Sequence, residues 1–198
     1  MCILMVVHKK VKGYPVVLAA NRDEYFDRPT RGPNLLLQAP AVWGGQDVQA
    51  GGTWLGMNAY GIVVALTNRR LSKEQKNEPT RRSRGLLCLE ALQCCTLEQI
   101  LAFLRDEPAY RYNHFNLLIV THQEAYWVAY DGTPKIQRLE AGIHILANGN
   151  INDLESQVAQ AKATPLNYGI LEELNTLPRT TYLAEVKNPN PELEGEVS

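Results

Sequence analysis

Cys2 and the tetrad Asn21-Arg22-Asp23-Glu24 are the residues whose types and setting could do chemistry. A thiol at position 2 becomes N-terminal once Met1 is removed, and Cys is small enough for that removal to be expected. It then lies beside its own α-amino group, whose ordinary pKa of roughly 7.7 to 8.0 suits a general base near neutral pH. One residue thus supplies nucleophile and base. The tetrad ends the apolar run Val16-Val17-Leu18-Ala19-Ala20 with no turn composition, as where a strand delivers functional groups to its end. A guanidinium at Arg22 would favour a thiolate, and a carboxylate at Asp23 would hold the α-amine. Side chains alternate along a strand, so both can face Cys2 only if the strand has ended by residue 21. Asp23 is therefore the first choice, while Arg22 and Glu24 fit equally well a buried ion network that closes the strand end. Asn21, Glu24 and Trp54 are candidate substrate-binding residues.

The elements that must position these groups can be read from local pattern. Cys2 to His8 and Val16 to Ala20 are β-rich and joined by a Gly-containing turn, so a hairpin is expected, with the tetrad near residue 2. Pro29, Pro33 and Pro40 mark the following stretch as a loop. Thr53 to Met57 and Ile62 to Asn68 flank the turn Asn58-Ala59-Tyr60-Gly61, a second hairpin. Gly44, Gly45, Gly51 and Gly52 are expected mainly in tight turns. Ser83 is placed to cap a helix through Leu92, and Thr96-Leu97-Glu98-Gln99 is a capping box for a second. Phe115 to His122, Ala125 to Tyr130, Lys135 to Leu139 and His144 to Ala147 then read as an antiparallel meander, because such short connections cannot make parallel crossovers. Asp153 would cap a helix to about Ala163, and Pro165 would start another toward Asn175. Residues 1–186 are expected to form a single domain and 187–198 a frayed acidic tail.

Composition excludes more than it proposes. The 198 residues suffice for one domain with a real core. A net charge of −1 and a pI near 6.4 give no general reason to bind nucleic acid. Arg69, Arg70, Lys73, Lys76, Arg81, Arg82 and Arg84 form a basic run, expected to be a solvated loop. Cys2, Cys88, Cys94 and Cys95 lack C-x-x-C spacing and the four histidines are scattered, so no metal or cofactor is implied. Cys88, Cys94 and Cys95 are expected as reduced core residues. The N-terminal run lacks the basic segment of a signal peptide, and no apolar run reaches the length of a membrane span, so a cytoplasmic setting is expected. Trp43, Trp54, Trp127, Tyr60, Tyr110 and Tyr112 could line an apolar pocket, although such aromatics are more often core.

Met1-Cys2, the Asn-Arg-Asp-Glu tetrad, Gly51-Gly52-Thr53-Trp54-Leu55-Gly56, Ser83-Arg84-Gly85, Phe115-Asn116-Leu117-Leu118 and Leu146-Ala147-Asn148-Gly149 resemble the NRDE, or transport and Golgi organisation 2, family. The resemblance runs in order from residue 1 to about residue 163. It implies an α+β fold of N-terminal-nucleophile hydrolase type, a four-layer αββα sandwich with antiparallel sheets. Gly56 to Asn68 further resembles the corresponding segment of the choloylglycine hydrolases, which implies that Asn68 and Asn148 are the oxyanion-stabilising asparagines. A neutral amide donor suits that task, since it can wait in a dry site for charge to develop. Two departures stand out: that branch has an arginine after the second asparagine and the family has a further Arg/Ser/Thr-rich strand near its end, and here Arg179-Thr180-Thr181-Tyr182-Leu183 is the only such sequence. That segment is expected to be a shortened version of the closing strand. The function implied is hydrolysis of a non-peptide amide bond through Cys2, with a small-molecule substrate. The rival readings are a carrier for an apolar ligand such as haem or lipid, and a factor in secretory or Golgi organisation.

Overall fold

The computed structural model describes residues 3–22, 24, 27–70, 77–153 and 184–185. In order, these form β1 (Ile3–Val11), β2 (Tyr14–Asn21), β3 (Thr30–Gln38), β4 (Ala41–Asp47), β5 (Leu55–Asn58), β6 (Val63–Asn68), α1 (Arg84–Ala91), α2 (Leu97–Asp106), β7 (Phe115–Val120), β8 (Ala125–Tyr130), β9 (Pro134–Leu139), β10 (Gly142–Leu146) and β11 (Ala184–Glu185). They assemble into a seven-stranded sheet in the order β3-β4-β5-β6-β7-β8-β9 and a four-stranded sheet in the order β10-β1-β2-β11.

Period-two alternation explains why the two sheets and the helices stack. Along β6 and β7 every residue but Asn68 is buried, as a strand covered on both faces requires. Val64, Leu66, Phe115, Leu117 and Ile119 face the helices, where they meet Leu87, Leu92, Ile100 and Leu104. Their alternates Val63, Ala65, Leu118 and Val120 face the smaller sheet and meet Leu4, Val6 and Leu146. Each such aliphatic side chain contributes about 1.5–3 kcal/mol when fully buried. The result is an α+β sandwich of helices, large sheet and small sheet. The helices expected after Asp153, the segment 179–183 and the tail 187–198 lie outside the described residues.

Both expected hairpins form. β1 pairs with β2 from Ile3↔Asn21 to Val11↔Tyr14. The β5–β6 turn is closed by the Asn58 side chain, whose Oδ1 accepts from the Tyr60 and Ile62 N–H groups, with Gly61 at φ +75°. The α2 capping box is present as read: Thr96 Oγ1 accepts from Gln99 N at 3.3 Å and Gln99 Oε1 from Thr96 N at 3.3 Å.

Several expectations need correction. Pro29 to Pro40 is not mainly a loop, because β3 runs through Pro33; the residue sits on the sheet's outermost strand where the register with β4 breaks between Arg31 and Asn34, so it is not part of the ladder. Ser83 occupies the cap position of α1 without a side-chain hydrogen bond. β10 is not the last strand of the meander, since it leaves β9 and pairs with β1 in the other sheet from Leu4↔Leu146 to His8↔Gly142. β11 pairs with β2 in parallel, the one exception to the antiparallel pattern among the described strands. Cys88 is buried as expected, whereas Cys94 is half-buried and Cys95 exposed.

The glycines serve close approach more than turns. A Cβ on Gly52 would lie 2.2 Å from the Gly85 carbonyl carbon and 2.6 Å from Leu86 N. Thr53 N donates to Gly85 O across the same contact, so the start of α1 is locked to the segment before β5. Gly52→Ala should therefore destabilise the protein by about 2 kcal/mol or more, as backbone cannot yield cheaply. Gly32→Ala, in open space, should change stability by less than about 0.5 kcal/mol. Urea unfolding of the two variants checks the contrast.

Candidate active site

The β1–β2 register brings Ile3 opposite Asn21, so the chain enters β1 and leaves β2 at the same end of the small sheet. Cys2, Asp23 and the Asn21 side chain lie outside the described residues. Arg22, Glu24, Trp54, Asn68 and Asn148 are placed.

Arg22 is held from two sides. Its guanidinium carbon sits 4.1 Å from the centroid of the Trp54 ring, a cation–π contact worth roughly 0.5–1 kcal/mol or more where water is excluded. The Trp54 ring occupies space that a side chain at residue 45 would need: a Cβ there would come within 2.5 Å of the ring. Arg22 Nη2 also stands 3.6 Å from Glu24 Oε2 and 3.9 Å from Asp47 Oδ2. Arg22 and Glu24 thus belong to an ion network, which is the alternative that the sequence left open.

Asp47 and Arg28 complete that network and were not singled out from the sequence. Arg28 donates to Asp47 Oδ2 from Nε at 3.0 Å and from Nη2 at 2.6 Å. Asp47 Oδ1 accepts from Gln49 N at 3.1 Å and Ala50 N at 3.2 Å. An Asp three residues before Ala-Gly-Gly is a turn signature that could have marked it. Burial pushes the Asp47 carboxyl up, but the Arg28 hydrogen bond, the Ala50 N–H and the charges of Arg28 and Arg22 outweigh burial and leave it below the usual carboxylate range.

A cavity of about 440 Å³ opens beside this network, with Arg22, Trp54, Asp47, Asn68, Arg84 and Asn113 among its lining. Part of the basic run also lines it, so that run is not simply a solvated loop. Arg82 pairs with Glu90 and donates to Tyr112 Oη at 2.6 Å, Arg81 donates to Tyr112 O at 3.1 Å, and Arg84 donates to His114 O at 2.9 Å. Residues 71–76 of the run lie outside the described residues. The aromatics do not converge. Trp54 is the sole aromatic lining the cavity among the described residues. Tyr112 instead packs edge-on against Phe115 and Tyr130 in the core, while Trp43, Tyr60 and Tyr110 are exposed.

The two asparagines meet although 80 residues separate them: Asn148 Nδ2 donates to the backbone oxygen of Asn68. Asn68 ends β6, where its side chain is exposed at the cavity. Asn148 follows β10, and its own carbonyl accepts from Arg70 N at 2.9 Å. Among the described residues no three His, Cys, Asp or Glu side chains converge to hold a metal, and no helix is long and apolar enough to cross a membrane.

A family model described as Transport and Golgi organisation 2 matches residues 1–173. The chain is 34% identical over 110 residues to the "Transport and Golgi organization 2 homolog" of Mus musculus, and 36% identical over 110 residues to the Bos taurus homologue. In each case it covers 38% of the relative's length. Among solved structures, a variant of the conjugated bile acid hydrolase from Clostridium perfringens aligns with a TM-score of 0.52 at 14% identity, covering 85% of this chain and 59% of that one. The Caenorhabditis elegans N-acylethanolamine-hydrolyzing acid amidase orthologue aligns at 0.54 and 11% identity, covering 96% of this chain and 82% of that one. These likenesses show an N-terminal-nucleophile hydrolase fold.

A depressed Asp47 carboxyl contributes stability that is present above its unfolded pKa of roughly 3.9 and lost as pH falls through the lower folded value. Stability of the protein should accordingly fall below about pH 4. Asp47→Asn should cost about 1–3 kcal/mol at pH 7 and reduce the steepness of that acid loss, measured by urea unfolding at pH 7 and pH 3.

Proposed function

Because the chain belongs to the Transport and Golgi organisation 2 family and carries an N-terminal-nucleophile hydrolase fold, we propose that it hydrolyses a non-peptide amide bond with Cys2 as nucleophile. The observation that carries this reading is the hydrogen bond from Asn148 to Asn68, a residue that lines the same cavity as Arg22 and Trp54. The sequence puts Cys2 one residue before Ile3 and Asp23 two residues after Asn21, the partners that end the β1–β2 ladder.

In this mechanism the thiol of Cys2 attacks the amide carbon and its proton passes to the α-amine. Asp23 orients that amine. The carbonyl oxygen becomes an oxyanion, stabilised by the amide N–H groups of Asn68 and Asn148. As the C–N bond breaks, the ammonium returns a proton to the leaving amine, and a thioester on Cys2 remains. Water, deprotonated by the same α-amine, hydrolyses that thioester and frees the acid. Arg22 favours the thiolate, and the Trp54 and Glu24 contacts hold its guanidinium in place. A reducing, cytoplasmic setting suits a free thiol nucleophile.

The carrier reading has less support, because the cavity is rich in charged groups and poor in aromatics. The organisational role in the relatives' names belongs to proteins of which this chain covers 38%.

The test is the state and reactivity of Cys2 in protein from its native host. The N-terminal peptide should lack Met1, and iodoacetamide should alkylate Cys2 with a midpoint below pH 8.5, the ordinary thiol value. Peptide mapping separates this from the exposed Cys95, while burial pushes the Cys88 thiol up and keeps it silent. Cys2→Ala should abolish turnover of any amide the protein cleaves, a loss of at least about 100-fold. Retention of Met1, or a thiol no more reactive than a free cysteine, overturns the proposal.

A further inference from the structure

We propose that Asn116 and Arg69, with Thr67, are positioning residues that hold the Asn148 amide at the oxyanion site. The proposal rests on the hydrolase reading above. Asn116 is fully buried on β7, where alternation sets it on the same face as Leu118 and Val120, in the layer between the sheets. Its side chain is saturated. Nδ2 donates to Gly149 O at 3.0 Å, Ala147 O at 3.3 Å and Thr67 Oγ1 at 3.3 Å. Oδ1 accepts from Arg69 Nη1 at 3.1 Å and Trp127 Nε1 at 3.2 Å.

Thr67 and Arg69, at the end of β6 and just beyond it, reach the same short segment. Thr67 Oγ1 donates to Ala147 O at 2.7 Å. Arg69 donates from Nη1 to Gly149 O at 2.9 Å and from Nη2 to Asn150 Oδ1 at 2.7 Å. The carbonyls on both sides of Asn148 are thereby fixed to β6 and β7, one residue after β10 has left its own ladder at Leu146. Asn148 spends one N–H on Asn68 O, which leaves its second N–H for a ligand oxygen.

Cohesion alone does not account for this cluster. Apolar side chains at 67 and 116 would join the two sheets at least as well as buried polar ones. Arg69 gains less than it could, for its Nε is buried without a hydrogen bond. What the cluster does supply is a fixed direction for residue 148, and an error near 1 Å in such a donor costs about 100-fold in rate.

Two reactions of the same thiol separate positioning from stability. p-Nitrophenyl acetate acylates Cys2 through a tetrahedral oxyanion: the S–C bond forms, the C–O bond breaks, p-nitrophenolate leaves and the thiol proton passes to the α-amine. Iodoacetamide alkylates Cys2 by direct displacement of iodide, with no oxyanion. In the full chain, Asn116→Asp and Arg69→Met should each slow the p-nitrophenol burst about 10- to 100-fold. Alkylation should stay within about three-fold of wild type if the thiol itself is untouched. Thr67→Val is nearly isosteric and removes one of the bonds to Ala147; should the other variants fail to fold, it should still show a selective loss of about three- to ten-fold. Folded variants that acylate at the wild-type rate, or that lose both reactions in parallel, overturn the inference while the hydrolase reading stands. Wild-type protein whose Cys2 is not acylated overturns both.

Discussion

The β1–β2 register is the constraint on which the rest depends. β1 is an inner strand of its sheet, bonded to β10 on one side and β2 on the other. Leu4 and Val6 point from it into the core between the sheets. A slip of one residue would turn those side chains outward and put their neighbours into the core, so the apolar contacts of the whole layer fix the pairing. The same pairing fixes which residues emerge where the sheet ends. Asn21 is the last of β2, so the sheet ends at the first residue of the Asn-Arg-Asp-Glu sequence.

Polar groups then collect at the ends of apolar strands, and they do so in two separate clusters. One joins Arg22, Glu24, Arg28 and Asp47, whose charges are mutually close to balanced. It aims a guanidinium rather than simply exposing one, because Trp54 and Gly45 set the plane against which Arg22 lies. The other joins Thr67, Arg69 and Asn116 and is almost free of carboxylates, so its work is done by neutral acceptors and backbone carbonyls. The first cluster lines the cavity together with Asn68, which stands between Thr67 and Arg69 in sequence. Both clusters fix the direction of the side chains and carbonyls they hold.

Features set by neighbours in sequence were legible from the sequence. The two hairpins and the capping box at Thr96 depend on a few consecutive residues, and they formed as read. The family motifs indicated the fold and named Asn68 and Asn148, which the structure joins. What was not legible depends on distant partners. β3 passes through Pro33 because it is an outermost strand whose pairing with β4 breaks between Arg31 and Asn34, a property of its place in the sheet. β10 looks like one more meander strand until β1 offers it a second sheet. Asp47 was not singled out, since its guanidinium partner lies 19 residues earlier. The basic run reads as solvent-facing because its acceptors, Glu90 and the carbonyls of Tyr112 and His114, are on other elements.

The most direct test of the central claim is a covalent trap. The protein would be incubated with a panel of N-acyl amides, quenched in acid within one turnover, and its N-terminal peptide weighed. The account predicts a peptide that begins at Cys2 and carries the mass of the acyl group, lost on treatment with hydroxylamine as a thioester is. An amide cleaved with no acyl group on Cys2, or a folded protein whose N-terminal peptide retains Met1, would contradict it.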